Sequence, residues 1–201
     1  MSLLSIVVGL LVVGVVFLAL MVLALAREIG RIQVRLGPIG ARATESGPTA
    51  GTAAPVIAGL TDHRGRAHTI GGPRSDGRST LLMFTSPTCV VCKSLLPSLR
   101  TLARTERNLD IVLVSDGEPH EHEEFLATST LGPDLSYVIS AETGIRYRAG
   151  VTPYGVLLDA AGVVRSKGLC NHEHQVESLL NAADLGVATL SDLHDARPVQ
   201  A

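Results

Sequence analysis

The 201 residues contain no tryptophan, and aromatic side chains make up only 3% of them, although 46% are hydrophobic. The apolar content is therefore aliphatic, and the mean hydropathy of +0.31 is high for a soluble chain. Basic residues are not in excess: 17 Lys and Arg face 19 Asp and Glu, for a formal charge of -2. A nucleic-acid partner would call for a basic face, so none is expected. Cysteine is scarce, at three residues. Two of them form a single Cys-x-x-Cys, and a structural zinc site would need a second such pair, or His172 and His174 brought over by the fold. No internal repeat is visible, and no Lys or Arg precedes the first apolar run.

That run, Leu3 to Ala26, is uncharged throughout. At about 1.5 Å per residue it reaches roughly 36 Å, enough to cross a hydrocarbon layer of about 30 Å. Ala24 to Ala26 resembles a signal-peptidase site, but the basic leader is missing and the apolar stretch is too long for a cleavable signal. The expectation is an uncleaved single-pass anchor in contact with membrane lipid. Arg27, Arg31, Arg35 and Arg42 follow it. The positive-inside rule would place that side in the cytoplasm, whereas lasting protein disulfides belong to an oxidising compartment. The second consideration sets the expected location: an inner-membrane protein with its globular domain on the periplasmic side.

Four regions are expected along the chain. Residues 1–36 are the anchor helix and a membrane-proximal extension, ending before Gly37-Pro38. Residues 37–53, small, polar and rich in Gly and Pro, read as a flexible linker. Residues 54–187 form the globular domain, and residues 188–201 a tail. Within the domain a short hairpin turns around His63-Arg64-Gly65. Ser79–Phe84 and Ile111–Ser115 are apolar runs of buried-strand type, joined by a helix over about Val90–Arg107. A polar helix at PHEHEEFLATST and a strand at SYVIS follow. Tyr154–Asp159 and VVRSKGL are strands around a turn at Ala160-Ala161-Gly162, and HEHQVESLLNAAD is a closing amphipathic helix. Alternating strands and helices define an α/β class with a mixed sheet.

Cys89 and Cys92 stand where a buried strand meets a helix. Unpaired N–H groups and the dipole at a helix start favour an anion there. A thiolate is the attacking species in thiol–disulfide exchange. Cys92, about one turn further in, is placed to attack a mixed disulfide and release the partner. Lys93 adds positive charge. A redox dithiol is the favoured reading over zinc or two inert cysteines, and neither a metal nor a cofactor is expected.

The segment SPTCVVCKSLLPSL resembles the active site of thioredoxin-fold proteins, with Lys93 after the second cysteine and Pro97 five residues beyond it. GVTPYGVLLD resembles their later segment with a cis proline. The resemblance implies a thioredoxin-like fold in which Pro153 is cis and faces the cysteines, Thr152 offers its backbone to an extended partner, and Ser86, Pro87 and Thr88 form the groove rim. The strand STLLMF lacks the buried acid many thioredoxins carry. More narrowly, the anchor ending ALAREIGRIQVRLGPIGA, the active site, TPYGVLLD and the closing KGLCNHEHQVESLL are similar to methylamine dehydrogenase accessory proteins of the MauD type. Val90 stands where proline would be expected, and Cys170 where cysteine is not usual. This likeness implies a membrane-tethered thiol–disulfide oxidoreductase that helps mature the disulfide-rich small subunit of methylamine dehydrogenase, together with a redox partner protein. A copper or protein chaperone on the same fold, and a peroxidase-like redoxin, are the alternatives.

Two readings concern other residues. Cys170 is expected to be a semi-buried cysteine at a small-residue position, against a third redox thiol or a soft-metal ligand shared with His172 and His174. The two HEH runs, His120 to His122 and His172 to His174, open helices and are expected on capping or solvated positions. Asn171 is the expected N-cap, with His174 at the capping-box position.

Overall fold

The computed structural model describes residue 7, residues 10–22 and residues 46–186. Two compact units, Met1–Pro38 and Ile39–Ala201, divide the chain. In the first, residues 10–22 are helical and their side chains exposed. Among the described residues no helix is long and apolar enough to cross a membrane. The rest of the expected span Leu3–Ala26, its extension, the first part of the linker and the tail lie outside the described residues.

The second unit opens with an antiparallel hairpin of β1 (Ile57–Thr61) and β2 (Ala67–Ile70). There follow β3 (Ser79–Thr85), α1 (Val90–Thr105), β4 (Leu109–Ser115), α2 (Pro119–Thr128), β5 (Leu135–Ile139), α3 (Ala141–Arg146), β6 (Tyr154–Leu158), β7 (Val164–Leu169) and α4 (Glu173–Asp184). The main sheet has the order β5-β4-β3-β6-β7. Its first three strands run parallel, and β6 and β7 are antiparallel to their neighbours. The mixed sheet expected from the sequence is present.

Strand β3 shows why the sheet is central. Side chains alternate between faces at a period of two. Leu81 and Met83 join one core with Leu95, Leu96 and Leu99 of α1, Phe125 of α2, and Val176 and Leu179 of α4. Leu82 and Phe84 join the opposite core with Ile57 and Ile70 of the hairpin, Tyr147 and Tyr154. A strand covered on both faces carries an unbroken apolar run, and that run made β3 readable. Helix α1 buries Leu95, Leu96 and Leu99, while Pro97, which brings no N–H to the helix ladder, stays exposed.

Helix α3 has no counterpart in the sequence reading. Its six residues are too few to show a period, and it is started by the Ser140 hydroxyl, which accepts the Thr143 N–H at 3.1 Å. Helix α4 begins one residue later than expected. His172, not Asn171, is the N-cap, and Gln175, not His174, completes the capping box. The Gln175 carboxamide oxygen accepts the N–H groups of Asn171 at 2.7 Å and His172 at 3.2 Å, a bond no imidazole at position 174 replaces.

Residues 46–54 lie along the domain. Gly47 donates to the Arg148 carbonyl, Gly51 to Val164, Val164 back to Thr52, and Ala54 to Gly162. The Ser46 carbonyl accepts both the Tyr154 hydroxyl and the Lys167 ammonium at 2.8 Å.

Candidate functional site

The site is built where β3 and β6 leave the sheet. Phe84 pairs with Tyr154 at the end of their antiparallel ladder. The chain beyond Phe84 leads through Ser86, Pro87 and Thr88 to Cys89, and the chain before Tyr154 is Thr152-Pro153. The register thus brings the cysteine loop and the proline loop to one end of the sheet. Thr85 and Thr152 share a small cavity there, about 20 Å³, with Ser115, Asp116 and Ser140.

Cys89 is the N-cap of α1, and its Sγ accepts the Cys92 N–H at 3.1 Å. A sulfur in that position takes up one of the helix's unpaired donors, and it gains most from that bond as a thiolate. Cys89 and Cys92 are joined by a disulfide, with Cα atoms 5.3 Å apart. The two sulfurs are not equivalent. Cys89 is half-buried, whereas Cys92 is only 3% exposed. An incoming thiolate therefore meets Cys89 first. Val90 and Val91 between them are exposed, at 79% and 39%, and Val151 ahead of Thr152 is exposed as well. The loop carrying the disulfide is apolar and open.

The rim residues divide by burial. Pro87 is buried, Thr88 exposed, and the Ser86 and Thr88 hydroxyls lie 3.1 Å apart. The Thr152–Pro153 peptide is cis. Pro153 is buried, and its carbonyl accepts the Cys170 N–H at 3.0 Å. Thr152 is exposed, and its backbone has no hydrogen-bond partner among the described residues. An extended peptide laid beside it would find a free donor and acceptor, as strand addition requires.

Cys170 is wholly buried rather than semi-buried, and it is free. It fills space between Gly155 and the Met83 thioether: a Cβ on Gly155 would lie 3.1 Å from Cys170 Sγ and 3.3 Å from Met83 Sδ. Burial pushes its thiol up to about 12, against the Gly155 backbone hydrogen bond. A thiol so placed is held protonated and unreactive. His172 and His174 stack on each other with ring centroids 5.4 Å apart, and no group of three or more metal-ligating side chains exists among the described residues.

The histidine the sequence reading misplaced is His122. It was expected on a capping or solvated position. It is 2% exposed, with Nδ1 at 2.8 Å from the Tyr137 hydroxyl. Its flanking glutamates gave it the look of a polar face. The signal available was its spacing from Phe125, three residues on, which puts both on one side of the helix.

Strand order, the cis proline and a disulfide at the head of α1 define a thioredoxin-like protein with one Cys-x-x-Cys centre. Solved structures agree on the fold. A candidate thiol:disulfide interchange protein DsbE from Chlorobium tepidum superposes with a TM-score of 0.56 at 21% identity, covering 67% of this chain and 97% of its own. StoA from Bacillus subtilis gives 0.52 at 19%, covering 63% and 96%. A thioredoxin-like protein from Aeropyrum pernix gives 0.51 at 16%, covering 63% and 89%. No protein-family model matches the chain. Whole-sequence relatives do. Methylamine utilization protein MauD of Methylorubrum extorquens is 46% identical over 179 residues, 89% of this chain and 86% of the relative. MauD of Paracoccus denitrificans is 45% identical over 179 residues, 89% and 88%. The chain belongs to the MauD family of methylamine utilization proteins.

Proposed function

We propose that this protein is a membrane-tethered thiol–disulfide oxidoreductase acting in the maturation of methylamine dehydrogenase, with that enzyme's disulfide-bearing small subunit as substrate. The observation that carries the exchange chemistry is the placement of Cys89: a half-buried sulfur capping α1, bonded to a buried Cys92 one turn inside. In the oxidising direction a substrate thiolate attacks Cys89 Sγ, the bond to Cys92 breaks, and Cys92 leaves as a thiolate that takes a proton. A second substrate thiolate then attacks the substrate sulfur of the mixed disulfide. Cys89 departs as a thiolate stabilised by the Cys92 N–H, and the substrate holds the new disulfide. Thr152 pairs with the substrate backbone, Pro153 walls the groove, and Pro87 and Thr88 form its rim.

The choice of substrate rests on the family, whose relatives are named for methylamine utilization. The tether rests on Leu3–Ala26, uncharged and long enough to span a bilayer. The exchange chemistry argues for a domain outside the cytoplasm. Run in reverse, Cys89 attacks a substrate disulfide and Cys92 resolves the mixed disulfide, so replacing Cys92 with Ser leaves that partner trapped on Cys89. Purification of C92S from methylamine-grown cells is expected to bring down the dehydrogenase small subunit through a reducible bond. A Cys89 that captures other proteins and never this subunit would contradict the maturation role. A reporter active only outside the cytoplasm, fused after Ala201, is expected to be active; an inactive but stable fusion would contradict the placement.

A further inference from the structure

The exchange chemistry moves protons as well as electrons, and β3 (Ser-Thr-Leu-Leu-Met-Phe-Thr) brings no acid to the disulfide. One buried ionisable side chain borders the β4–α2 loop, which Pro87 of the cysteine loop also borders. His122 lies on the inner side of α2, and its Nε2 is buried without a hydrogen-bond partner. An orphaned buried polar atom costs about 1–3 kcal/mol, which an apolar side chain there would avoid. The nitrogen looks at the loop between β4 and α2. A Cβ on Gly117 would lie 3.6 Å from His122 Nε2 and 3.7 Å from Cγ of Pro87. Pro87 is buried and stands two residues ahead of Cys89. The unpartnered imidazole nitrogen and Pro87, two residues ahead of Cys89, thus both border Gly117, whose missing side chain leaves open space beside each.

The other ionisable groups around this imidazole come from four places. Glu121 of α2 sets its Oε2 2.9 Å from the same Gly117 point, and Glu118 is the N-cap of α2. Tyr137 of β5 holds Nδ1, stacks on Phe125 with centroids 5.1 Å apart, and has the Ser115 hydroxyl of β4 within its surroundings. Asp116, next in the chain, bears on Tyr137 electrostatically. His63 in the β1–β2 turn sets its ring edge-on to Tyr137, with centroids 6.5 Å apart. His120, Glu123 and Glu124 project outward from α2.

We infer that His122 is a positioning residue for the Cys89–Cys92 pair, acting through the Pro87–Thr88 turn, and that its protonation is linked to the redox state of that pair. The inference rests on the exchange reading above. When the pair is reduced, the substrate dithiol gives up two electrons and two protons and becomes a disulfide. The Cys89–Cys92 bond breaks; Cys92 keeps one proton as a thiol, Cys89 remains a thiolate, and the imidazole of His122 holds the second proton. Reoxidation returns that proton as the S–S bond closes. A negative sulfur favours a nearby positive imidazolium, and the neutral disulfide does not.

The test is the rate of Cys89 alkylation in the reduced full chain across pH 5 to 9, for the native protein, His122→Gln and His122→Phe. The native profile is expected to show two inflections. Both variants are expected to show one, with alkylation about tenfold slower at pH 6, the effect of moving a thiol by about one pH unit. Superimposable profiles would overturn the inference. Should the variants fail to fold, NMR of the His122 imidazole in the native chain decides: it is expected to titrate at higher pH when the pair is reduced, and equal midpoints in the two states would overturn the inference. A chain whose disulfide exchanges with no dithiol peptide at any pH would overturn the exchange reading as well, whereas exchange with unchanged profiles overturns only the role of His122.

Discussion

Three cysteines sit in three environments, and their reactivities should separate accordingly. Cys89 is half-buried at a helix head, Cys92 is buried beside it, and Cys170 is sealed under Gly155 and Met83. Native oxidised protein treated with a thiol reagent at pH 8 is expected to show no fast-reacting thiol, and one after unfolding. Reduced native protein is expected to show one fast thiol, Cys89, and one slower, Cys92. A third reacting thiol in the folded reduced state would mean that Cys170 is exposed. Asp62 makes a different residue-scale case. Burial alone would raise its carboxyl, yet the Arg66 and Arg64 N–H groups and the Arg66 guanidinium at 2.7 Å hold it well below the ordinary carboxylate range. Because the folded value is depressed, the stabilisation is present above the ordinary carboxylate range and fades as pH falls through it toward the folded value. Asp62→Ala is expected to cost about 1–3 kcal/mol at pH 7 and less at pH 3. Equal losses at both pH values in chemical denaturation would contradict this.

At the scale of elements, β6 is the strand on which the site and the core meet. Its first residue closes the ladder with β3, its Gly155 faces Cys170 and Leu179, and the loop before it carries Thr152-Pro153. A Cβ at Gly155 would approach Leu179 Cδ1 to 2.5 Å. Gly155→Ala should therefore overpack the α4 side of the sheet and destabilise the domain by about 1–3 kcal/mol; an unchanged melting temperature would show that α4 yields without cost. The segment over residues 46–54 behaves as an added edge to this part of the fold. Gly51 donates to Val164 at 2.7 Å, and Ser46 is held by Tyr154 and Lys167. Hydrogen exchange at the Gly51 amide is expected to be slow in the native chain and faster when Lys167→Met removes one hold on Ser46. Fast exchange in both would mean the segment is not docked in solution.

Across the whole molecule, legibility followed the distance over which a pattern acts. The buried strands β3, β4 and β6 announce themselves as unbroken apolar runs, and α1 by its leucine spacing, because each signal lies within one element. Helix α3 was invisible, since six residues hold no period and its start depends on a single hydroxyl. The sequence alone starts α4 one residue early because two adjacent polar residues both suit a cap, and only the reach of Gln175 decides between them. The cysteine pair and the Thr-Pro dipeptide were legible as motifs. His122 was not, because its partner Tyr137 is 15 positions away and meets it only when α2 folds onto β5.

The central claim is that Cys89, and not Cys92, exchanges with a docked protein thiol. The most direct measurement mixes the oxidised full chain with a reduced dithiol peptide, quenches with acid within seconds, and maps the mixed disulfide by mass. The account predicts that the peptide is found on Cys89, that Cys92→Ser, which carries no internal disulfide, forms the same adduct only with the oxidised peptide and then retains it, and that Thr152→Pro, which removes the backbone donor beside the groove, lowers the yield from the native chain. An adduct formed through Cys92, or no adduct from a folded oxidised protein, would contradict it.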